Sequence, residues 1–96
     1  MTSKQRAYLR GLANTLSPIF QIGKSGISDN LIKQLDDALE ARVLIKVSVL
    51  ETAPEDVRSL GEEIAVATHS TCVQTVGSKI TLYLAKKKDS KIILPE

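Results

Sequence analysis

Apolar and polar positions alternate along the chain in two rhythms, and the change from one to the other marks out seven elements. Tyr8, Leu9, Leu12, Ala13 and Leu16 recur at helical spacing and predict a first helix over about 4–16, which Ser3 can cap. Arg6, Arg10 and Asn14 follow one another at i, i+4 and share a different face of that helix. Pro18 ends it and opens a short strand over 19–22. Gly23-Lys24-Ser25-Gly26 is a turn by composition, and Ser28 caps the next helix, with Asp29 in its first turn. Ile27, Leu31, Leu35, Ala38 and Leu39 form the inner face of this second helix, which stops near Arg42.

From there the period shortens to two. Val43, Ile45, Val47 and Val49 point one way in a strand, and Leu44, Lys46, Ser48 and Leu50 point the other. Pro54, Glu55 and Asp56 open a third helix over about 55–69, whose inner face is Val57, Leu60, Ile64 and Ala67. Two strands over about 72–76 and 79–85 are joined by Gly77-Ser78, a hairpin connection. The order α-β-α-β-α-β-β predicts one α/β domain over 1–96 with a mixed four-stranded sheet. Residues 87–96 are expected to form a tail with freedom to flex, and its apolar triplet Ile92-Ile93-Leu94 to pack back onto the domain.

The 96 residues suit one domain, and no apolar run is long enough to span a membrane. The polar, basic start is no secretory signal, and the single Cys72 allows no internal disulfide framework, which together predict a cytoplasmic protein. Net charge is only +2, but it is unevenly spread. Residues 1–26 carry four basic residues and no acid, residues 27–63 four basic and nine acidic, and residues 64–96 five lysines against two acids. If the fold brings the two ends together, one face becomes a cationic patch suited to an anionic polymer; scatter over a solvated surface is the competing reading.

The Gly23-Lys24-Ser25-Gly26 loop offers the most chemistry. Glycines tolerate positive φ and lack a Cβ, a following helix N-terminus attracts anions, Lys24 adds a point charge and Ser25 a hydroxyl. A tight strand-to-helix turn with no ligand is the plain alternative. The loop is not a nucleoside-triphosphatase loop, because the earlier glycine would fall at Pro18. Lys86, Lys87 and Lys88, with Lys79 and Lys91, read either as a solvated tail or as further phosphate contacts, and Lys4, Arg6 and Arg10 extend the basic set. Tyr8 and Phe20 look like core, which leaves Tyr83 as the one ring available for stacking and disfavours base-stacking readout. His69 and Cys72 have no partners to complete a metal site, and no third group is evident to orient a Cys–His pair. No catalytic constellation, metal or cofactor is therefore expected.

The run from Lys4 to Ala13, then Leu16-Ser17-Pro18 and Ile22-Gly23-Lys24-Ser25-Gly26-Ile27, resembles the YhbY family of small bacterial proteins. These are single copies of the CRM domain (chloroplast RNA splicing and ribosome maturation). Leu44-Ile45-Lys46-Val47, Val73-Gln74-Thr75-Val76-Gly77, Leu82-Tyr83 and the ending from Lys91 to Pro95 agree, so the resemblance spans nearly the whole chain. It differs at Val43, where the family usually has an acid, and at Leu84, where it often has arginine. The resemblance implies a fold like the C-terminal domain of bacterial translation initiation factor three, with a glycine-rich loop of the K-homology kind. It also implies binding to precursor large-subunit ribosomal RNA during ribosome assembly; with no catalytic constellation in the sequence, the chain is read as a non-enzymatic assembly factor, and a monomer is the default expectation. A protein–protein adaptor using the acidic second helix or the apolar tail is the alternative.

Overall fold

The computed structural model describes residues 2–85. Seven elements follow in the expected order: α1 (Ser3–Ala13), β1 (Phe20–Ile22), α2 (Asp29–Arg42), β2 (Leu44–Val49), α3 (Val57–Thr68), β3 (Thr71–Val76) and β4 (Lys79–Tyr83). The strands form one sheet in the order β1-β2-β4-β3. β1 runs parallel to β2, as a helical crossover between them requires, while β4 is antiparallel to both its neighbours. No helix among the described residues is long and apolar enough to cross a membrane.

Each helix begins where a side chain can satisfy its first amides. α1 starts one residue earlier than Ser3 capping would place it. Thr2 is the N-cap, its hydroxyl accepting from the Gln5 amide at 3.1 Å while Gln5 Oε1 accepts from the Thr2 amide at 3.0 Å. Ser28 caps α2, accepting from the Leu31 amide. Asp56 caps α3 through a 2.7 Å bond from the Ser59 amide, which holds its carboxyl below the usual range. α1 ends at Ala13, well before Pro18, because Thr15 Oγ1 donates to the Leu12 carbonyl and the Leu16 amide closes onto Ala13.

The sheet buries both faces, but unequally. α2 and α3 cover most of one face, and Leu35, Leu39, Leu60 and Ile64 pack there on Ile22, Ile45, Val47, Val49, Ile80 and Leu82. Gly61 lets α3 come close: a Cβ on it would lie 3.1 Å from Cys72 Sγ and 3.2 Å from Thr75 Cγ2. α1 covers only one end of the other face, where Leu9 and Ala13 sit on Val43, Leu44, Val73 and Tyr83.

Val43 departs from the predicted alternation. It caps α2 with φ 72°, a conformation strained for a β-branched residue. That turn resets the pleat, so Val43 packs under α1 beside Leu44 instead of sharing a face with Ile45 and Val47. Ala67 is exposed on α3, and Thr68 takes the buried position, its hydroxyl donating to the Ile64 carbonyl. The aromatic rings exchange their expected roles. Tyr8 is 43 % exposed, whereas Tyr83 is buried beneath α1 and has no face free for stacking.

Candidate functional site

Chain direction sets the place of the glycine loop. β1 and β2 are parallel, so Gly23-Lys24-Ser25-Gly26 emerges at the C-terminal end of β2, beside the β3–β4 hairpin. The loop is a closed turn in which the Gly26 amide donates to the Gly23 carbonyl at 2.9 Å. It rests on a second turn after β2, where the Leu50 amide donates to Ile22 and the Ala53 amide to Leu50.

The two glycines are not equivalent. Gly26 has φ +65°, and a Cβ there would lie 3.1 Å from Pro54 Cγ, so the fold itself requires glycine. A Cβ on Gly23 would make ordinary contacts of 3.7 and 3.8 Å with Leu50 and Thr52. Both positions face the supporting segment. The atoms turned to solvent belong to Lys24 and Ser25, both exposed, and no hydrogen bond among the described residues engages their amides. The α2 N-terminus adds less than the sequence suggests, because the Ser28 hydroxyl and the Asp29 carboxylate already serve its first turn.

Charge is sorted by layer. All nine acids among the described residues lie on α2, on α3 or on the segment joining β2 to α3. α1, all four strands and the glycine turn carry none, but hold Lys4, Arg6, Arg10, Lys24, Lys46 and Lys79. On the acidic side the Glu55 carboxyl is raised above its usual value, first by a hydrogen bond with Glu63. The separation follows from the sequence: helices with acids outward cover one sheet face, and a basic helix partly covers the other.

The half of the sheet that α1 leaves bare carries two polar rows. Strand register places Gln21, Ser48, Lys79 and Val76 side by side in one row, and Lys46, Thr81 and Gln74 in the next. Lys79 Nζ donates to Ser48 Oγ at 3.1 Å and to Ser78 Oγ at 3.3 Å. Two clefts lie over these rows. One, of about 580 Å³, is lined by Pro18, Ile19, Phe20, Gln21, Ser48 and Lys79. The other, of about 170 Å³, is lined by Asn14, Lys46, Gln74, Val76, Lys79 and Thr81. Lys46 and the sheet-facing role of Lys79 are absent from the sequence-derived site. The alternations Leu44-Lys46-Ser48 and Lys79-Thr81-Tyr83 put both lysines on the sheet face opposite Ile45 and Leu82, without showing that α1 leaves that part of the face open.

The remaining predicted residues scatter. Lys4 and Arg10 are exposed on α1, and Arg10 falls on the helical row between Arg6 and the cleft-lining Asn14. Arg6 is half-buried and tied to the fold, its Nη1 donating to the Val73 carbonyl at 2.7 Å and to Cys72 at 3.5 Å. It anchors α1 to β3 where the β3–β4 register slips between Cys72 and Gln74. Arg6→Ala should therefore lower stability by about 1.5–3 kcal/mol, the worth of a charged hydrogen bond, in a denaturant titration. An unchanged midpoint would release Arg6 to the surface set. Lys86, Lys87 and Lys88, like Lys91 and the expected tail with its Ile92-Ile93-Leu94 triplet, lie outside the described residues. Burial raises the Cys72 thiol, and the Glu62 charge raises it further against the pull of Arg6, which makes it a poor nucleophile.

Comparison with known proteins gives a consistent result. The sequence model of the CRS1 / YhbY (CRM) domain matches residues 1–83. The Bacillus subtilis protein named Probable RNA-binding protein YqeI is 48% identical over 95 residues, covering 99% of both chains. A Haemophilus influenzae protein named RNA-binding protein is 32% identical over 99% of this chain and 95% of its own. The solution structure of the Staphylococcus aureus hypothetical protein SAV1595, named as a candidate RNA-binding protein, superposes with a TM-score of 0.83 at 50% identity and 99% coverage of both chains.

Proposed function

Because the chain belongs to the CRS1/YhbY (CRM) domain family, we propose that it binds RNA through the face formed by α1 and the open sheet, using the Gly23-Lys24-Ser25-Gly26 turn at the end of that face as a phosphate grip. The observation that carries this reading is the charge sorting. A protein of near-zero net charge carries six basic residues and no acid on α1, the sheet and the glycine turn, Arg6 among them being tied to the fold and the turn resting on the segment that holds Glu51. Such a field draws a polyanion to one side and repels it from the other. The names of the relatives support RNA as that polyanion.

Lys24 sits at the corner of a turn whose amides at Lys24 and Ser25 are open to an anion. Its ammonium supplies charge, and the Ser25 hydroxyl supplies a donor. Recognition by backbone and shape fits the burial of Tyr83, which removes the sheet-borne ring that base stacking would use. The RNA is precursor large-subunit ribosomal RNA, and the protein acts as a ribosome assembly factor without catalysis.

Lys24→Ala should weaken RNA binding about fourfold near 0.15 M salt and reduce the slope of log affinity against log salt by about 0.7, one single-strand phosphate contact. A salt-series titration checks this, and an unaltered slope argues against phosphate contact by Lys24. Sedimentation of cell extract through a gradient tests the ribosomal assignment. The protein should travel with immature large subunits and leave them on nuclease treatment; retention after nuclease would favour a protein partner instead.

A further inference from the structure

We propose that the half of the sheet left bare by α1 is a second RNA subsite, holding two successive phosphates of a single strand at Lys79 and Lys46; this rests on the RNA-binding reading above. Three observations point there. The first is geometry. Lys79 lines both clefts, so they are neighbours over one surface. Ser48 pairs with Lys79, and Lys46 stands two residues before Ser48 on β2. Lys46 and Lys79 thus stand on neighbouring strands, offset about 7 Å along them and about 5 Å across, so their backbone positions are about 8 Å apart, a difference their long stems can close. That step is comparable to the distance between neighbouring phosphates of an extended strand.

The second is charge and polarity. No carboxylate lines either cleft among the described residues, and amide and hydroxyl groups surround the two lysines. Lys46 and Lys79 are half-buried beside Ser48 (8 % exposed) and Thr81 (1 % exposed), so their stems lie along the sheet. Lys79 is further held by Ser48 and Ser78, which places its charge instead of leaving it to swing. Gln21, Gln74 and Asn14 can donate to or accept from ribose hydroxyls.

The third is continuity. The glycine turn begins two residues beyond Gln21 on β1, so the bare face opens directly from it. Asn14, Pro18 and Ile19 raise a wall along one side. A strand gripped at Lys24 can run down the sheet past Lys79 and Lys46 toward Asn14 and Arg10. Phe20, the one ring at the clefts, packs against the core of the other face, so the track holds backbone and not stacked bases.

The test uses the full chain with a labelled twelve-nucleotide oligouridylate. Lys46→Gln with Lys79→Gln keeps the stems and removes two charges. Binding near 0.15 M salt should fall roughly fourteenfold, and the salt slope by about 1.4. Should the wild type bind and Lys24→Ala weaken it while the double variant matches the wild type, the sheet subsite is wrong and RNA binding stands. Should the wild type bind no RNA, both readings fail. Equal displacement of the oligonucleotide by polyglutamate of matched charge would overturn the subsite as an RNA site. Amide resonances of Gln21, Gln74 and Thr81 in the wild type give an answer that needs no variant to fold: they should move on titration, and their constancy would overturn the proposal.

Discussion

Replacing Gly61 by valine should lower the stability of this domain by about 3 kcal/mol, the upper end of what overpacking a tight site usually costs. A Cβ alone would come within 3.1 Å of Cys72 Sγ, 3.2 Å of Thr75 Cγ2 and 3.4 Å of Ile80 Cγ2. Two further methyl groups have nowhere to go unless α3 lifts from the sheet. Lifting α3 would loosen Leu60 and Ile64, which anchor the larger core. For a domain of this size the loss corresponds to a fall in melting temperature of roughly 12–24 °C. Gly61→Ala serves as the internal control. Alanine gains about 1 kcal/mol of helix propensity over glycine, which offsets its single crowded carbon, so it should melt within a few degrees of the wild type. A valine variant that melts like the alanine variant would mean that α3 and the sheet have slack between them.

Gly61 also marks what a single sequence can and cannot disclose. Its place inside a helical pattern is visible, but not that Cys72, Thr75 and Ile80 lie opposite, because those contacts join distant positions. The same division holds elsewhere. Ser28, the hairpin at Gly77-Ser78 and the inner faces of α2 and β2 were legible because capping and periodicity are local. Val43 was misplaced because alternation assumes an unbroken pleat, and its φ of 72° interrupts it. Tyr8 and Tyr83 were exchanged because the pattern gives the face a residue shares but not how far α1 reaches across the sheet. α1 is 11 residues long, about 16 Å, and covers only one end of its face. That shortfall creates the polar clefts. Lys46 stood plainly on the outward side of a predicted strand, yet nothing in the sequence distinguishes a lysine under a helix from one in an open cleft.

The second large effect concerns the whole cationic track. Changing Lys24, Lys46 and Lys79 together to glutamine should reduce affinity for the twelve-nucleotide oligouridylate about fiftyfold near 0.15 M salt and the salt slope by about 2.1. The fold should survive. Lys24 is exposed on a turn, a glutamine at 79 can still bond Ser48, and one at 46 can still cover Thr81. The size of the loss matters less than how it is assembled. One strand that occupies the turn and the sheet together joins the two contacts into one binding event, so the free energies of the single and double changes should add. A dinucleotide, whose single internucleotide phosphate cannot occupy both places, should bind weakly and respond to either change alone far less than the long strand does. If the triple variant instead loses no more than Lys24→Ala, with both probes behaving alike, the turn acts by itself. The lysines of the sheet would then serve only to cover Ser48 and Thr81. Compounding losses on the long strand with little effect on the short one would tie the glycine turn and the bare sheet into a single RNA path.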